Sequence, residues 1–305
     1  MKKKIIIIMT ILLAILMIGL GYGVNYLFNY AIVSSEKDFI ETKSLAAQKK
    51  QWEFAENKVE KLNIQSDDHL SLSARYVKQE KPSNTTVIVA HGYMNSSLGM
   101  GNYAEMFYNM GYDVLVPDNR AHGESEGKYV GFGWLDRLDY VKWINEIIKA
   151  KGESENIILF GVSMGASTVM MTSGEELPSQ VKLVIADCGY DSVKNELTYQ
   201  LKDMFNLPSF PLIPLTSAYS KIRAGYSFGE ADAVKQLQHN NLPLLLIHGD
   251  IDDFVPTEFV YQLYDATQGE KELVIFEGAN HAESFKSDPK KYESTVKNFI
   301  STYMP

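Results

Sequence analysis

Apolar and polar positions alternate along most of the chain in two periods, one typical of buried strands and one typical of amphipathic helices. Residues 86–90, 114–116 and 156–160 are short, largely apolar runs, as expected of strands that are buried on both faces of a sheet. Residues 134–151 place apolar side chains on one helical stripe and stop at Gly152, a typical helix end. This strand–helix–strand order predicts an α/β fold in which helices cover both faces of a mostly parallel sheet.

The alternation breaks between the strand that ends at Asp187 and the strand that begins near Leu242. This connection is too long for a simple loop, carries many aromatic residues and contains a proline-rich bend at residues 207–214. We expect a small helical cap at about residues 190–230, inserted before the last two strands. Its aromatic side chains either line an acyl or aromatic pocket or form the core of the cap itself.

The first 33 residues have the pattern of an export segment. Three lysines at positions 2–4 precede an uncharged stretch that reaches Val33, which is longer than the roughly 20 residues that a membrane-spanning helix needs. The basic start predicts an N-terminus inside the cell. We expect residues 1–33 to be an uncleaved, single-pass membrane anchor, its tyrosines at the outer interface and the rest of the chain outside. The alternative is a signal segment that is cleaved near residues 33–35, which would give a secreted protein.

The rest of the chain divides into a linker and one large domain. Residues 34–55 are charged and helix-prone, with Trp52 and Phe54 as their main late apolar positions, and we expect them to form a stalk. Residues 56–305 are enough for a single α/β domain with a large core.

Three short stretches carry the candidate chemistry, and each follows an apolar run. They are Gly-Val-Ser-Met-Gly at residues 161–165, Gly-Asp-Ile-Asp at residues 249–252, and Gly-Ala-Asn-His at residues 278–281. Ser163 between two glycines predicts a nucleophile on a sharp strand-to-helix turn, with the backbone N–H of Met164 as an oxyanion donor. His281 is the only histidine that follows the acidic stretch at residues 250–253, so it is the predicted base.

Several aspartates compete for the role of the acid that orients this histidine. Asp250, Asp252 and Asp253 lie together after the apolar run at residues 244–247, and Asp187 ends the preceding strand. Short acidic side chains in a turn often bond the turn's own backbone instead. The residues alone therefore leave the acid open among these four.

Together these motifs resemble the α/β-hydrolase superfamily of serine hydrolases. The chain is similar over about residues 55–305 to membrane-anchored bacterial members that are related to monoacylglycerol lipases and serine aminopeptidases. A further match is the D-x-R-x-H-G-x-S turn at residues 118–125. In such relatives this turn is mainly architectural, so the resemblance implies structural roles for Asp118, Arg120 and His122.

The resemblance also assigns the remaining site residues. The G-x-x-D-x-x-V-P arrangement implies that Asp252 is the acid, with Asp250 and Asp253 bonding the turn. The His-Gly pair at residues 91–92 resembles the superfamily's oxyanion loop, which implies that the backbone N–H of Tyr93 is the second oxyanion donor beside that of Met164. His91 then has only to brace the loop.

Composition argues against several classes of partner and cofactor but does not identify the substrate. The net charge of −9 is unfavourable for nucleic-acid binding. A single cysteine, Cys188, excludes an intrachain disulfide, and we expect it to be a packed residue and not a nucleophile. The sequence has no H-E-x-x-H motif and no paired cysteines, so we expect neither a metal nor a cofactor.

These features predict a serine hydrolase that cleaves a carboxylic ester through an acyl-enzyme, with a small-molecule or lipid-like acyl substrate. A serine peptidase and an acyltransferase would use the same residues and stay open. A catalytically silent surface protein, with the cap as its binding surface, is the alternative from another class. A dehalogenase would need an aspartate in place of Ser163.

Overall fold

An eight-stranded sheet forms the centre of the domain. The computed structural model describes residues 2–35, 37 and 44–304. The strands in this part of the chain are β1 (Val59–Gln65), β2 (Ser71–Val77), β3 (Thr85–Ala90), β4 (Asp113–Pro117), β5 (Asn156–Val162), β6 (Val181–Asp187), β7 (Leu244–Gly249) and β8 (Lys271–Phe276). Their order in the sheet is β1-β2-β4-β3-β5-β6-β7-β8, and only β2 runs against its neighbours.

Helices connect the strands and cover the sheet. In the described residues they are α1 (Lys2–Ala31), α2 (Leu45–Lys50), α3 (Gly101–Asn109), α4 (Asp136–Lys151), α5 (Met164–Ser173), α6 (Val193–Phe205), α7 (Ser209–Ala224), α8 (Ala233–Leu237), α9 (Glu258–Ala266), α10 (Ser284–Ser287) and α11 (Pro289–Tyr303). The predicted helix at residues 134–151 thus begins two residues later, at Asp136.

Two apolar cores lie on opposite faces of the sheet because successive strand residues point to opposite sides. Val87 and Val89 of β3 belong to the core that contains residues of α3 and α11. Ile88 belongs to the core that contains residues of α4, α5 and α9. The predicted α/β architecture, with a mostly parallel sheet and helices on both faces, is confirmed.

The long connection between β6 and β7 contains α6, α7 and α8, so a helical insertion precedes the last two strands as predicted. Its aromatic residues do not share one role. Tyr226 is buried in a third apolar cluster, and its hydroxyl donates to the carbonyl of Val130 at 2.8 Å. Phe210, by contrast, is 77% exposed.

Helix α1 has two different parts. Residues 2–19 are exposed on every side, whereas Val24 and Phe28 are buried, Phe28 in a cluster with residues of the cap. By length and composition α1 could cross a membrane, and signal sequences share this pattern. After α1, Val33 forms a β-bridge with Tyr129.

The end of the predicted linker packs into the domain instead of standing apart from it. Residues 36 and 38–43 of that linker lie outside the described residues, but Trp52 and Ala55 are buried in the core beside α3. The indole N–H of Trp52 donates to the carbonyl of Leu98 at 2.9 Å. The charged composition of the segment did not predict this contact. Two buried residues, Trp52 and Ala55, are enough to dock a short segment onto the domain.

Replacing Trp52 with alanine should therefore destabilise the whole domain. Because the change empties a buried site, we expect the free energy of unfolding to fall by about 3 kcal/mol. Thermal unfolding of the detergent-solubilised protein measures this loss. Leu45→Ala in α2 is the control, since Leu45 is 60% exposed and its loss should change stability by less than about 0.5 kcal/mol. Equal stability of both variants would mean that the segment is a stalk.

Candidate active site

Ser163 occupies a sharp turn between β5 and α5. Its backbone has φ 57° and ψ −122°, a region that is strained for a residue with a side chain. A Cβ on Gly161 would collide with the carbonyl of Gly165, and a Cβ on Gly165 would collide with that of Ala90. The two glycines therefore allow the close strand–helix packing that holds Ser163 in this conformation.

Three of the predicted residues form one continuous hydrogen-bonded chain. The Oγ of Ser163 lies 2.8 Å from Nε2 of His281, and Nδ1 of the same ring lies 2.8 Å from Oδ2 of Asp252. A carboxylate only accepts, so Nδ1 carries the ring proton and Nε2 is left to accept from the serine hydroxyl. This is the arrangement in which an imidazole can remove the proton of a serine.

The carboxylate of Asp252 is buried and fully bonded. Its Oδ1 accepts from the backbone N–H groups of Phe254, at 3.0 Å, and Val255, at 2.8 Å. Burial by itself would raise the pKa of Asp252, but the hydrogen bonds from His248 and His281 outweigh it and hold the pKa well below its usual range. Asp252 is therefore ionised at neutral pH and can stabilise a charged His281.

His248 contacts the carboxylate of Asp252, and the sequence motifs did not predict this contact. This buried ring, at the end of β7, places Nε2 3.2 Å from Oδ2 of Asp252 and 3.0 Å from the carbonyl of Val255. Because a carbonyl only accepts, Nε2 carries the proton and is shared between the two oxygens. Its position four residues before Asp252 was the available signal, but the order Ser, Asp, His directs attention only to histidines after the acid.

The competing acids have other partners among the described residues. Oδ1 of Asp250 accepts from the backbone N–H of Gly278 at 2.6 Å, so it bonds the neighbouring loop. Asp187 accepts from the hydroxyl of Tyr292 at 2.8 Å, and burial raises its pKa to about 6. Asp250 thus differs from the expectation that it bonds its own turn, and it is Asp252 that bonds the turn.

The loop after β3 lies directly above the nucleophile. A Cβ on Gly92 would be only 3.3 Å from Cβ of Ser163, so a side chain here would crowd the nucleophile. Tyr93 follows in the same loop, and Met164 opens α5. The first N–H groups of a helix have no acceptor within it, and its dipole favours negative charge there. The predicted oxyanion donors therefore belong to segments that flank Ser163.

Two buried histidines hold this loop in place. His91 pairs its Nδ1 with the carbonyl of Gly92 at 2.8 Å, and its Nε2 accepts from the N–H of Asn119 at 2.9 Å. His122 accepts from the N–H of Met94 at 3.2 Å. Burial lowers the pKa of His91 to about 3 and also lowers that of His122, so both rings are neutral.

The acidic and basic side chains of the turn after β4 bond to the scaffold. Asp118 accepts from the backbone N–H groups of Ser97, at 2.6 Å, and Glu124, at 2.9 Å. Arg120 forms a buried ion pair with Asp139 at 2.9 Å. These contacts fit the architectural role that the resemblance implies.

An apolar cavity lies between Ser163 and the cap. Segments that are distant in sequence line it, among them the end of α1, the loop after β3, the β5–α5 turn, the loop after β7 and the cap helices. The lining residues are Leu27, Tyr30, Ala31, Tyr93, Phe132, Ser163, Met164, Tyr190, Glu196, Leu197, Gln200, Leu201, Met204, Phe205, Ile213, Thr216, Phe228, Phe254 and Val255.

Ser163 also borders a second, more polar cleft on the side of His281. Its lining includes Asn95, Asn102 and Lys286. The candidate nucleophile thus lies between an apolar cavity and a polar cleft, so the two halves of a substrate would meet different surroundings.

Glu196 is the acidic group of the apolar cavity, and no sequence motif marks it. The side chain lies on α6, is 4% exposed, and its Oε1 accepts from Gln200 at 3.0 Å. Its Oε2 has no hydrogen-bond partner among the described residues. Burial raises the pKa of Glu196 to about 8, which keeps the carboxyl largely protonated at neutral pH.

One group of described residues has the composition of a metal site. Cys188, Asp252 and His281 place their ligand atoms within 4.8 Å of one another. Burial raises the pKa of the Cys188 thiol well above its usual value, which opposes the thiolate that a metal would need. Asp252 and His281 are already bonded to each other, so this set fits the hydrogen-bonded chain better than a metal.

Comparison with known proteins places this chain in a family. A family model described as serine aminopeptidase, S33 matches residues 81–207. The protein YqkD of Bacillus subtilis (strain 168) is 32% identical over 216 residues, which are 70% of each chain. The chain belongs to the α/β-hydrolase superfamily. This confirms the resemblance that the motifs indicate.

Further relatives of this hydrolase extend the comparison. The esterase YjfP of Escherichia coli (strain K12) is 26% identical over 209 residues, covering 64% of this chain and 79% of that one. The crystal structure of the Pyrococcus furiosus esterase Pf2001 superimposes with a TM-score of 0.69 at 23% identity, over 90% of this chain and 100% of that chain. The latter likeness shows the α/β-hydrolase fold.

Glu196→Gln should make the hydrolase more stable, and increasingly so as the pH rises. The unfolded carboxyl ionises near pH 4.5, whereas the folded one keeps its proton until about pH 8. Wild-type stability therefore falls across this interval relative to the variant, by a total on the order of a few kcal/mol. Thermal midpoints from pH 5 to pH 9 measure the difference.

The control for this prediction is Glu293→Gln, since Glu293 is an exposed carboxylate on α11. Its difference from wild type should stay constant over the same range. A constant difference for Glu196→Gln as well would mean that Glu196 is ionised in the folded protein.

Proposed function

We propose that this hydrolase is a serine carboxylesterase with Ser163, His281 and Asp252 as its catalytic triad. The observation that carries the proposal is the hydrogen-bonded chain from Ser163 Oγ through the His281 ring to Asp252, with 2.8 Å at each step. Ser163 also borders an apolar cavity and a polar cleft, which provide space for a substrate beside the hydroxyl. The esterase names of YjfP and Pf2001 support the same reaction class.

The first half of the reaction is acyl transfer to the enzyme. Nε2 of His281 removes the hydroxyl proton as Ser163 Oγ bonds to the ester carbonyl carbon. The carbonyl oxygen becomes an oxyanion that the backbone N–H groups of Tyr93 and Met164 stabilise. His281 then returns its proton to the alkoxide, the carbon–oxygen bond breaks, and the alcohol leaves an acyl ester on Ser163.

The second half repeats this chemistry with water. His281 takes a proton from water as the water oxygen attacks the acyl carbon, and a second oxyanion forms in the same place. The proton then passes to Ser163 Oγ as the acid leaves. Asp252 keeps its negative charge throughout and stabilises the imidazolium that forms twice.

The two surfaces beside Ser163 support an orientation for the ester. The apolar cavity suits an acyl chain, whose burial is favourable by about 0.8 kcal/mol per methylene. The polar cleft suits the alcohol, which must reach water after the first step. This arrangement is that of an esterase or lipase for medium or long acyl chains.

A peptidase function is the second candidate because the matching family model is described as serine aminopeptidase, S33. A free amino terminus is a cation and would need a negative partner. In the apolar cavity the carboxyl is Glu196, whose raised pKa disfavours the charged form, whereas Glu105, Glu283 and Glu293 line the polar cleft. We rank the esterase first because YjfP and Pf2001 carry esterase names. Parallel assays with p-nitrophenyl esters and aminoacyl p-nitroanilides separate the two functions.

We further propose that α1 is an uncleaved membrane anchor and that the catalytic domain lies outside the cell. The backbone N–H of Ser34 donates to the carbonyl of Lys128 at 3.0 Å, and that of Val130 donates to Ile32 at 2.8 Å. Cleavage near residues 33–35 would break this pairing. Intact mass of the protein purified from membranes tests it.

Substitutions should show whether Asp252 or Asp250 is the catalytic acid. With p-nitrophenyl butyrate, we expect kcat/KM to fall at least about a thousandfold in Ser163→Ala and in Asp252→Asn. Asp250→Asn is the matched control and should lose less than about tenfold, since Asp250 bonds a loop. A reversed order of the two asparagine variants would assign the acid to Asp250. Retained ester cleavage in Ser163→Ala would remove the proposed nucleophile.

His248 should act as a positioning residue for Asp252. His248→Leu removes the N–H that bonds the carboxylate, so we expect kcat to fall about 10- to 100-fold while KM stays within about twofold. His248→Gln supplies an N–H at similar reach and should recover most of the loss. If both variants lose equally, or if KM alone rises, His248 only fills space.

A further inference from the structure

The outer end of α1 is one wall of the apolar cavity. Leu27, Tyr30 and Ala31 line the same cavity as Ser163. The carbonyl of Ala31 also accepts from the hydroxyl of Tyr93 at 2.8 Å, in the loop that flanks the nucleophile. The helix with the membrane-spanning pattern therefore also lines the cavity beside the candidate nucleophile.

Packing holds this end of α1 firmly on the cap. Phe28 is buried and lies edge-on to Tyr219 of α7, with 5.0 Å between ring centroids. Tyr30 meets Phe205 of α6 in the same way, at 5.2 Å. The predicted tyrosine cluster is therefore divided, because Tyr22 stays exposed whereas Tyr30 packs on the cap.

The cavity wall begins close to where α1 would leave a bilayer. A hydrocarbon core about 30 Å thick takes about 20 residues at a rise of 1.5 Å each, so a span that starts at Ile5 ends near Val24. Val24 is the first residue of α1 that is buried in the protein. Leu27 follows it by three residues, about 5 Å along the axis.

The corner at residues 206–211, which joins the end of α6 to the start of α7, lies at the same end of the cap as Gly23 of α1. Leu212 of α7 is next to Gly23, whereas Tyr219 is next to Phe28, so α7 runs alongside α1 with its start nearest the membrane. Phe210 is 77% exposed at this start. No charged residue occurs between Asp203 and Lys221.

We propose that the cavity takes the acyl chain of a lipid ester drawn from the bilayer, with the outer end of α1 as its wall and the 206–211 corner in contact with the outer leaflet. This inference rests on the proposed esterase function. Continuity between the anchor, the cavity and an exposed apolar corner provides a short path for an acyl chain that avoids water. Loss of α1 would remove both the anchor and the wall.

The first experiment tests the wall by acyl-chain length. The full-length protein in phosphatidylcholine nanodiscs is assayed with p-nitrophenyl laurate and p-nitrophenyl acetate. Ala31→Phe narrows the cavity and should lower the laurate-to-acetate ratio of kcat/KM at least about tenfold, while Leu27→Ala widens it and should raise the ratio. Asn29→Phe is the control, since Asn29 is exposed on the same helix, and should keep the wild-type ratio.

The second experiment tests contact with the bilayer. Turnover of dioleoylglycerol in phosphatidylcholine vesicles is divided by turnover of soluble p-nitrophenyl butyrate. Phe210→Asp should lower this ratio at least about fivefold, because it places a charge at the membrane surface. Ile222→Asp is the matched control, since Ile222 is 80% exposed on the same helix but near its other end.

The outcomes separate this inference from the proposed function. Opposite shifts for Ala31→Phe and Leu27→Ala support the wall, because misfolding would lower turnover of both substrates together. An unchanged chain-length ratio in both variants overturns the wall, and equal effects of Phe210→Asp and Ile222→Asp overturn the bilayer contact. Either result leaves soluble ester cleavage intact, whereas failure to cleave any ester rejects the esterase itself.

Discussion

The buried carboxylate of Asp252 holds the site together. A charge inside a protein is costly unless hydrogen bonds and opposite charge surround it. Asp252 accepts from two backbone N–H groups of its own turn and from the rings of His248 and His281. These four donors tie the end of β7 to the loop after β8, and they fix the ring that faces Ser163. The position of His281 relative to Ser163 thus depends on the hydrogen bonds that the Asp252 carboxylate accepts.

The opposite half of the site depends on close backbone packing. Gly161, Gly165 and Gly92 each stand where a Cβ would meet a neighbouring segment. These glycines allow β5, α5 and the loop after β3 to pack closely around Ser163. This packing holds the strained backbone of Ser163 in place. The neutral ring of His91 hydrogen-bonds the loop after β3 and adds no charge beside the site. Rigid supports on both sides of the hydroxyl are what preorganised catalysis requires.

The sequence was sufficient for the features that depend on local pattern. Ser163 and His281 follow short motifs at strand ends, and parallel strands bring such ends to one edge of the sheet. Among four competing aspartates, the family resemblance was needed to select Asp252. The assembly of these three residues in space matches the prediction, while their catalytic roles stay a proposal. The burial of β3 on both faces follows from its run of apolar residues.

Features that depend on contacts between distant segments could not be predicted from the sequence. Trp52 sits in a charged segment, and Glu196 falls on the cavity face of an amphipathic helix, where only the tertiary contacts reveal its burial. The periodicity of a helix gives its faces but not their partners. For the same reason, an apolar helix such as α1 reads as a membrane span along its whole length, although its last turns pack on the cap and line the cavity.

The most direct test of the account is covalent labelling of the full-length protein with a fluorophosphonate probe, followed by intact mass and peptide mapping. The probe reacts with a serine that an adjacent base activates and that an oxyanion site supports. We predict a single adduct, located on Ser163 and absent from both Ser163→Ala and His281→Ala. An adduct on another serine, or no adduct on a folded protein, would contradict the assignment of Ser163 as an activated nucleophile.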